Sequence, residues 1–211
     1  MVKRFSIEMK SAKSLGDDSF FLVLMIFCLA LHFIFICIGF TNPPNEHHGF
    51  RQTQTAISVF YLLHEGFRID YITPVLGKPW AIPMEFPIYQ YLSAAITSVT
   101  RLGLETVSRS LSVAFCYLTF LFSYNFLCAI NVSRGTRYFA VSLFACSPIY
   151  IFFSRAILIE TMSIAFGMAW LWLIFRGLIA SKRKTAWLLA AFVAGVLTAL
   201  LKITTFIISV R

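Results

Sequence analysis

The densest group of chemically active side chains lies between residues 45 and 56, where the sequence reads NEHHGFRQTQTA. The segment contains Glu46, His48, Arg51, Gln52 and Gln54. A carboxylate or an imidazole can accept a proton from a hydroxyl group, and an arginine can bind a phosphate with two hydrogen bonds. Acid–base chemistry on a phosphate-bearing substrate is one interpretation of this segment. A solvated loop that caps a helix is the other, and composition alone leaves both open.

Metal binding is an alternative chemistry for the same segment. His47 and His48 follow Glu46, but adjacent residues rarely supply one site, and no spaced histidine or cysteine completes a ligand set. We therefore assign no cofactor from the sequence and keep a divalent metal at this loop as an alternative.

Two further polar groups lie downstream. Lys78 and Glu85 precede an amphipathic segment, where Glu85 would lie near a helix N-terminus and be favoured by the helix dipole. Arg155 and Glu160 are five residues apart, which is not the spacing of a pair on one helix face. For each group, a functional role and a structural role at the boundary of an apolar segment remain open.

The elements that position these residues are long apolar runs. The chain is 59% hydrophobic and 13% charged, about half the charged fraction of an ordinary soluble domain. A helix of about 20 residues covers roughly 30 Å and crosses a bilayer. The sequence therefore predicts an all-α integral membrane protein with about five spans, the third of which contains Pro148, at residues 20–40, 111–130, 138–153, 162–180 and 186–210.

The basic residues responsible for the net charge of +9 lie at positions that indicate the orientation of the spans in the membrane. Basic residues precede the first span and fill the connections after the second and fourth spans, at Lys3, Arg4, Lys10, Lys13, Arg134, Arg137, Arg176, Lys182, Arg183 and Lys184. A cytoplasmic N-terminus places all of these inside, as the positive-inside rule expects. The basic excess thus predicts contact with membrane lipids and no nucleic acid. The first span is interpreted as a retained anchor, because its apolar run exceeds that of a signal peptide.

This topology divides the chain into a cytoplasmic tail (1–19), a first span (20–40), an extracytoplasmic loop (41–108) and four further spans (109–211). Within the loop, residues 51–64 and 88–102 have apolar residues at helical spacing and predict two interfacial helices. Tyr89 is interpreted as an interface anchor. The alternative, in which residues 88–102 cross the membrane, would invert everything downstream. The preferred topology brings all three polar groups and Arg109 to one face of the membrane.

Four motifs in this order resemble a known family. They are HGFRQTQTA (48–56), EFPIYQ (85–90), RSLS from Arg109, and SP followed by SR and Glu160 (147–160). Over residues 20–180 the chain is similar to bacterial membrane glycosyltransferases of the GT-C fold, specifically the dolichyl-phosphate-mannose–protein mannosyltransferase-like group, glycosyltransferase family 39. Family members have more helices, so the chain resembles the N-terminal portion of a single, incomplete GT-C module, and the resemblance leaves open whether this fragment alone is active.

The resemblance implies an inverting hexosyltransferase that uses a polyprenyl-phosphate sugar. It implies a lipid, glycan or protein acceptor of the cell envelope on the extracytoplasmic face of a bacterial inner membrane. Relatives carry an acidic base near the position of His48, so the base is assigned to Glu46, His48 or Glu85. The remaining candidates are substrate-binding, with phosphate contact implied for Arg109 and Arg155: Arg51, Gln52, Gln54, Lys78, Arg109, Arg155 and Glu160. A transporter or flippase subunit is the alternative function, for which ionisable residues inside spans, here His32 and Lys202, would be evidence.

Overall fold

The computed structural model describes residues 15–44, 48–69, 74 and 86–210. Within these ranges the chain is helical and contains no strand. The helices are α1 Leu15–Gly39, α2 Gly49–Glu65, α3 Ile88–Thr100, α4 Leu104–Ala129, α5 Arg134–Ala145, α6 Pro148–Arg155, α7 Glu160–Ile179, α8 Lys184–Leu201 and α9 Ile203–Val210.

Four of the described helices are long and apolar enough to cross a membrane: Asp18–Gly39 within α1, and α4, α7 and α8. The shortest of these, α8, has 18 residues, which is about 27 Å of helix. Helices α5 and α6 together pass the same test but are bent by 65° at their junction. The predicted all-helical fold is thus confirmed for the described residues, with four helices that could span a membrane, or five if the bent pair crosses once.

The bend between α5 and α6 follows from Pro148. Proline has no N–H to continue the ladder of α5, and it forces the preceding residue, Ser147, into an extended conformation with φ −65° and ψ 118°. The ladder ends at Ala145, whose carbonyl accepts a hydrogen bond of 2.7 Å from His32 Nδ1 on α1. Because this carbonyl fixes the tautomer, His32 Nε2 is the acceptor for the Cys116 thiol at 3.4 Å. The buried side chain of His32 therefore supplies the hydrogen bond that the carbonyl at the end of α5 lacks within its own helix.

Substitution of His32 should lower the stability of the protein by a measurable amount. In His32→Leu the Ala145 carbonyl loses its donor in the interior, and we expect the free energy of unfolding to fall by about 1–3 kcal/mol. Unfolding of the purified protein in mixed micelles measures it. The matched control is Phe33→Leu, because Phe33 is exposed on the same helix. Equal stabilities of the two variants would contradict the assigned role of His32.

Close packing of α7 against α8 aligns the ends of these helices. Gly195 lies against the Trp170 indole and Gly177 against the Leu188 side chain, and a Cβ at either glycine would come within 2.8 Å of its neighbour. Small residues permit this approach in membrane helices, where burial against lipid gives little driving force. The packing brings the C-terminal end of α8 beside the N-terminal end of α7.

The two loop helices match the sequence prediction closely in extent. Val59 and Leu62 of α2 pack with Ala94 of α3, and Ser93 of α3 hydrogen-bonds Ser108 of α4. Helix α3 has 13 residues, about 20 Å, which is shorter than the roughly 30 Å hydrocarbon core. Its length therefore fits an interfacial helix better than a crossing segment.

Three boundaries differ from the sequence prediction. Helix α1 begins at Leu15 rather than at residue 20, and α4 begins at Leu104 rather than at residue 111, so Arg109 lies in the second turn of α4. The apolar run 186–210 is divided at Lys202, which has an extended backbone with φ −161° and ψ 102°. Apolar runs locate spans but do not mark such interruptions, since an interrupting residue can be held by tertiary partners.

Candidate functional site

A buried non-helical segment joins α6 to α7. Its residues, Ala156, Ile157, Leu158 and Ile159, are each at most 1% exposed, and we call it the α6–α7 loop. Inside a membrane protein, backbone outside a helix is tolerated only where protein groups satisfy its N–H and C=O groups. The partners of this loop therefore identify the residues on which its position depends.

Side chains from α2 and α4 supply these partners. Gln52 Oε1 accepts a hydrogen bond from the Ile157 N–H at 3.2 Å. The Ser112 hydroxyl donates to the Ala156 carbonyl at 2.7 Å, and Arg109 Nη1 donates to the Arg155 carbonyl at 3.0 Å. The loop that connects Arg155 to Glu160 is thus held from two sides.

Arg109 has a further backbone partner. Its Nη2 donates to the Asn42 carbonyl, just after α1, at 2.5 Å, and the residue is 2% exposed. One guanidinium therefore ties α4 to the end of α1 and to the end of α6. This geometry gives Arg109 an anchoring role; its predicted contact with a phosphate stays a prediction.

Tyr89, interpreted from the sequence as an interface anchor, is fully buried instead. Its hydroxyl donates to the Ser108 carbonyl at 2.7 Å and lies 2.9 Å from Ser112 Oγ. Burial raises the pKa of Tyr89 above its ordinary value, so the phenol stays neutral. The side chain joins α3 to the start of α4, beside the serine that holds the α6–α7 loop.

Glu160, the first residue of α7, lies at the centre of an ionic cluster. Its Oε1 accepts from Arg51 Nη1 at 2.7 Å and from Lys202 Nζ at 3.0 Å. We call Arg51, Glu160 and Lys202 the Glu160 cluster. The carboxylate side chain is 10% exposed, against 40% for Arg51 and 30% for Lys202. The sequence interpretation did not include Lys202 among the site residues, because it lies within an apolar run.

Arg155 ends α6 on the same side of the bundle. Its Nη1 lies 3.5 Å from the Phe35 carbonyl of α1, to which it donates. A Cβ added at Gly39 would overlap the Arg155 guanidinium. The last turn of α1 therefore needs a glycine for Arg155 to occupy this position.

His48 precedes α2 in a left-handed conformation, with φ 58°. Its imidazole stacks on the Phe153 ring, with a centroid distance of 5.7 Å, and the residue is exposed. The structure therefore places His48, a candidate base, next to α6, the helix that carries Arg155.

Most of the described candidates lie at one end of the bundle, formed by the ends of α1 and α6 and the beginnings of α4 and α7. The candidates whose contacts place them there are His48, Arg51, Gln52, Arg109, Arg155 and Glu160. Gln54 lies on α2, partly exposed. The predicted residues Glu46, His47, Lys78 and Glu85 lie outside the described residues. Arg134, Arg137, Arg176 and Lys184 lie on the ends of α5, α7 and α8 that are remote from this cluster.

The metal alternative gains no support from the described ranges. Among residues 15–44, 48–69, 74 and 86–210, no three histidine, cysteine or acidic side chains are grouped so as to hold a metal ion. His47 and Glu46, on which that alternative depended, are not among them.

Comparison with known proteins gave no relatives: no family model, no curated protein and no solved structure matches the chain.

Proposed function

We propose that this chain takes part in transferring a sugar from a polyprenyl-phosphate donor to an acceptor hydroxyl at the extracytoplasmic face of a membrane. The observation that carries the proposal is the Glu160 cluster, in which two cations share one carboxylate oxygen at the end of a bundle of membrane-length helices. A lipid phosphate bound at this end of the bundle would meet cationic side chains beside Glu160. The sugar itself is suggested by the family resemblance.

The cations suit the leaving group of such a transfer. As the bond between the anomeric carbon and the phosphate oxygen breaks, the electron pair moves to the phosphate, whose charge increases. Arg51 and Arg155 would stabilise that charge through charge-assisted hydrogen bonds. Arg109 anchors the α6–α7 loop and so positions Arg155 and Glu160.

A general base completes the proposed reaction. It would take the proton of the acceptor hydroxyl while the hydroxyl oxygen attacks the anomeric carbon opposite the departing phosphate, which inverts the configuration. Glu46, His48 and Glu85 remain the candidates. Among them, His48 lies on the loop-helix side of the bundle, next to α6, where a soluble acceptor would approach.

The orientation of the chain is part of this proposal. Basic connections lie at the end of the bundle remote from the Glu160 cluster, which supports a cytoplasmic N-terminus and an outward-facing site. The acceptor would then be a lipid, glycan or protein hydroxyl of the cell envelope, and the membrane the inner membrane of a bacterium.

Transfer in proteoliposomes tests the proposal. The full chain is given one radiolabelled sugar either on a polyprenyl phosphate or on a nucleotide, with a mixture of envelope lipids and glycans as acceptors. We expect a new glycoside from the lipid donor only, and a loss of about 10²–10⁴-fold in at least one of Glu46→Gln, His48→Ala and Glu85→Gln. Product from the nucleotide sugar alone would contradict the proposal. Translocation of the lipid-linked sugar without a new glycosidic bond would favour the transporter alternative.

A further inference from the structure

Lys202 occupies an unusual position for a lysine. It interrupts an otherwise apolar segment between Leu201, which is fully buried, and Ile203, which is exposed. Its extended backbone separates α8 from α9. An ionisable side chain within an apolar membrane segment is costly, and it is usually paired and functional. The partner of Lys202 therefore indicates what the residue does.

That partner is fixed by the packing of the bundle. Lys202 follows α8, which lies against α7 through the contact of Gly195 with Trp170, and its ammonium group donates to Glu160 Oε1 at 3.0 Å. Arg51 reaches the same oxygen from α2, which is a loop helix. Of the two cations, Lys202 is thus the one attached to the same pair of packed helices as Glu160.

The other carboxylate oxygen of Glu160 has no such partner. Oε2 is buried and accepts no hydrogen bond from the described residues, although an ionised carboxylate has lone pairs for several donors. A buried acceptor without a donor is costly, and such an atom in a native structure calls for an explanation. A hydrogen-bond donor supplied by a ligand is one explanation, and sugar hydroxyls are such donors.

We propose that Lys202 is a positioning residue of the site, which holds Glu160 so that Oε2 accepts a hydrogen bond from a hydroxyl group of the sugar. This inference rests on the proposed function and adds to it a residue and an atom. Lys202 fixes Oε1, and the direction of Oε2 follows because the carboxylate is planar. Glu160 thus recognises the sugar and Lys202 holds Glu160, whereas Arg51 and Arg155 are left to contact the phosphate.

The split between kcat and KM tests the positioning role. A misdirected Oε2 weakens a contact made equally in the bound substrate and in the transition state, so Lys202→Met should raise the KM for the donor about tenfold with kcat within about twofold. Lys202→Arg should recover most of the loss. The matched control is Lys184→Met, at the remote end of α8, with wild-type constants. A lower kcat at unchanged KM would overturn the proposal, since it would indicate only a loss of folded protein.

Deoxy donors identify the hydroxyl group. For one position on the sugar, the wild type and Lys202→Met should bind the deoxy donor with the same affinity. That donor lacks the hydroxyl group that would donate to Oε2, so the substitution removes nothing further. Independent, multiplicative losses for every deoxy donor would contradict the assignment of Oε2 to a sugar hydroxyl.

A measurement without substrate separates this inference from the proposed function. In unfolding experiments, the effects of Glu160→Gln and Lys202→Met on the unfolding equilibrium constant should be non-additive. The double variant should differ from the product of the two single effects by roughly fivefold or more. Additivity would overturn the Glu160–Lys202 contact, whatever the activity. Non-additivity without any sugar transfer by the wild type would leave the contact standing and reject the substrate role together with the proposed function.

Discussion

In the Glu160→Gln variant, we expect sugar transfer to fall by about two to three orders of magnitude in kcat/KM, the cost usually seen when one electrostatic contact of an active site is removed. The substitution keeps the shape of the side chain but removes the negative charge that Arg51 and Lys202 share. The two cations then repel each other, and the spacing that suits a phosphate is lost. Initial rates with a polyprenyl-phosphate sugar in proteoliposomes measure the effect.

The matched control for this variant is Glu105→Gln. Glu105 is an exposed residue in the first turn of α4, and its substitution should leave kcat/KM unchanged. Glu160→Asp should be intermediate, because the shorter side chain keeps the charge but cannot reach both cations. Wild-type kcat/KM in Glu160→Gln would show that the Glu160 cluster does not serve the reaction.

In Arg109→Met, we expect the largest loss of stability, roughly 3 kcal/mol in the free energy of unfolding, because two hydrogen bonds from a charged donor to part-buried carbonyl groups are lost, at about 1.5–3 kcal/mol each. These are the carbonyls of Asn42 and Arg155. Arg109→Lys should recover only part of the loss, since one ammonium group does not reproduce the planar fork of a guanidinium. Equilibrium unfolding in mixed micelles gives the values.

Arg101→Met provides the comparison for Arg109. Arg101 is exposed and lies between α3 and α4, so its substitution should change stability by no more than about 0.5 kcal/mol. If the two methionine variants were equally stable, Arg109 would not be the anchor of the α6–α7 loop.

The sequence predicted the features that depend on local composition. The apolar runs located the spans, and the periodicity of residues 51–64 and 88–102 located α2 and α3, because both signals are carried by neighbouring residues. Pro148 marked the interrupted span for the same reason. The sequence also predicted that Arg155 and Glu160 would not pair on one helix, and a non-helical loop separates them.

The features that depend on tertiary partners were not predictable. The segment AILI, residues 156–159, has the composition of a helix or a strand; its irregular backbone depends on Gln52 and Ser112, which are distant in the sequence. Lys202 was identified from the sequence only as an ionisable residue inside a span, because its partner, Glu160, lies 42 positions away and is brought close by the packing of α7 against α8. The same holds for His32, whose hydrogen-bond partner, the Ala145 carbonyl, lies 113 positions away in the sequence.

The proposed binding of a polyprenyl-lipid phosphate at the Glu160 end of the bundle is tested most directly by lipid retention, measured by native mass spectrometry. Three forms of the full chain are compared: the wild type, Arg101→Gln, and the double variant Arg51→Gln with Arg155→Gln. We expect the first two to retain polyprenyl phosphate in preference to the uncharged polyprenol, and the double variant to bind it at least about tenfold more weakly, equivalent to 1.4 kcal/mol. Equal retention by all three forms, or no preference of the wild type for the phosphate, would contradict the claim.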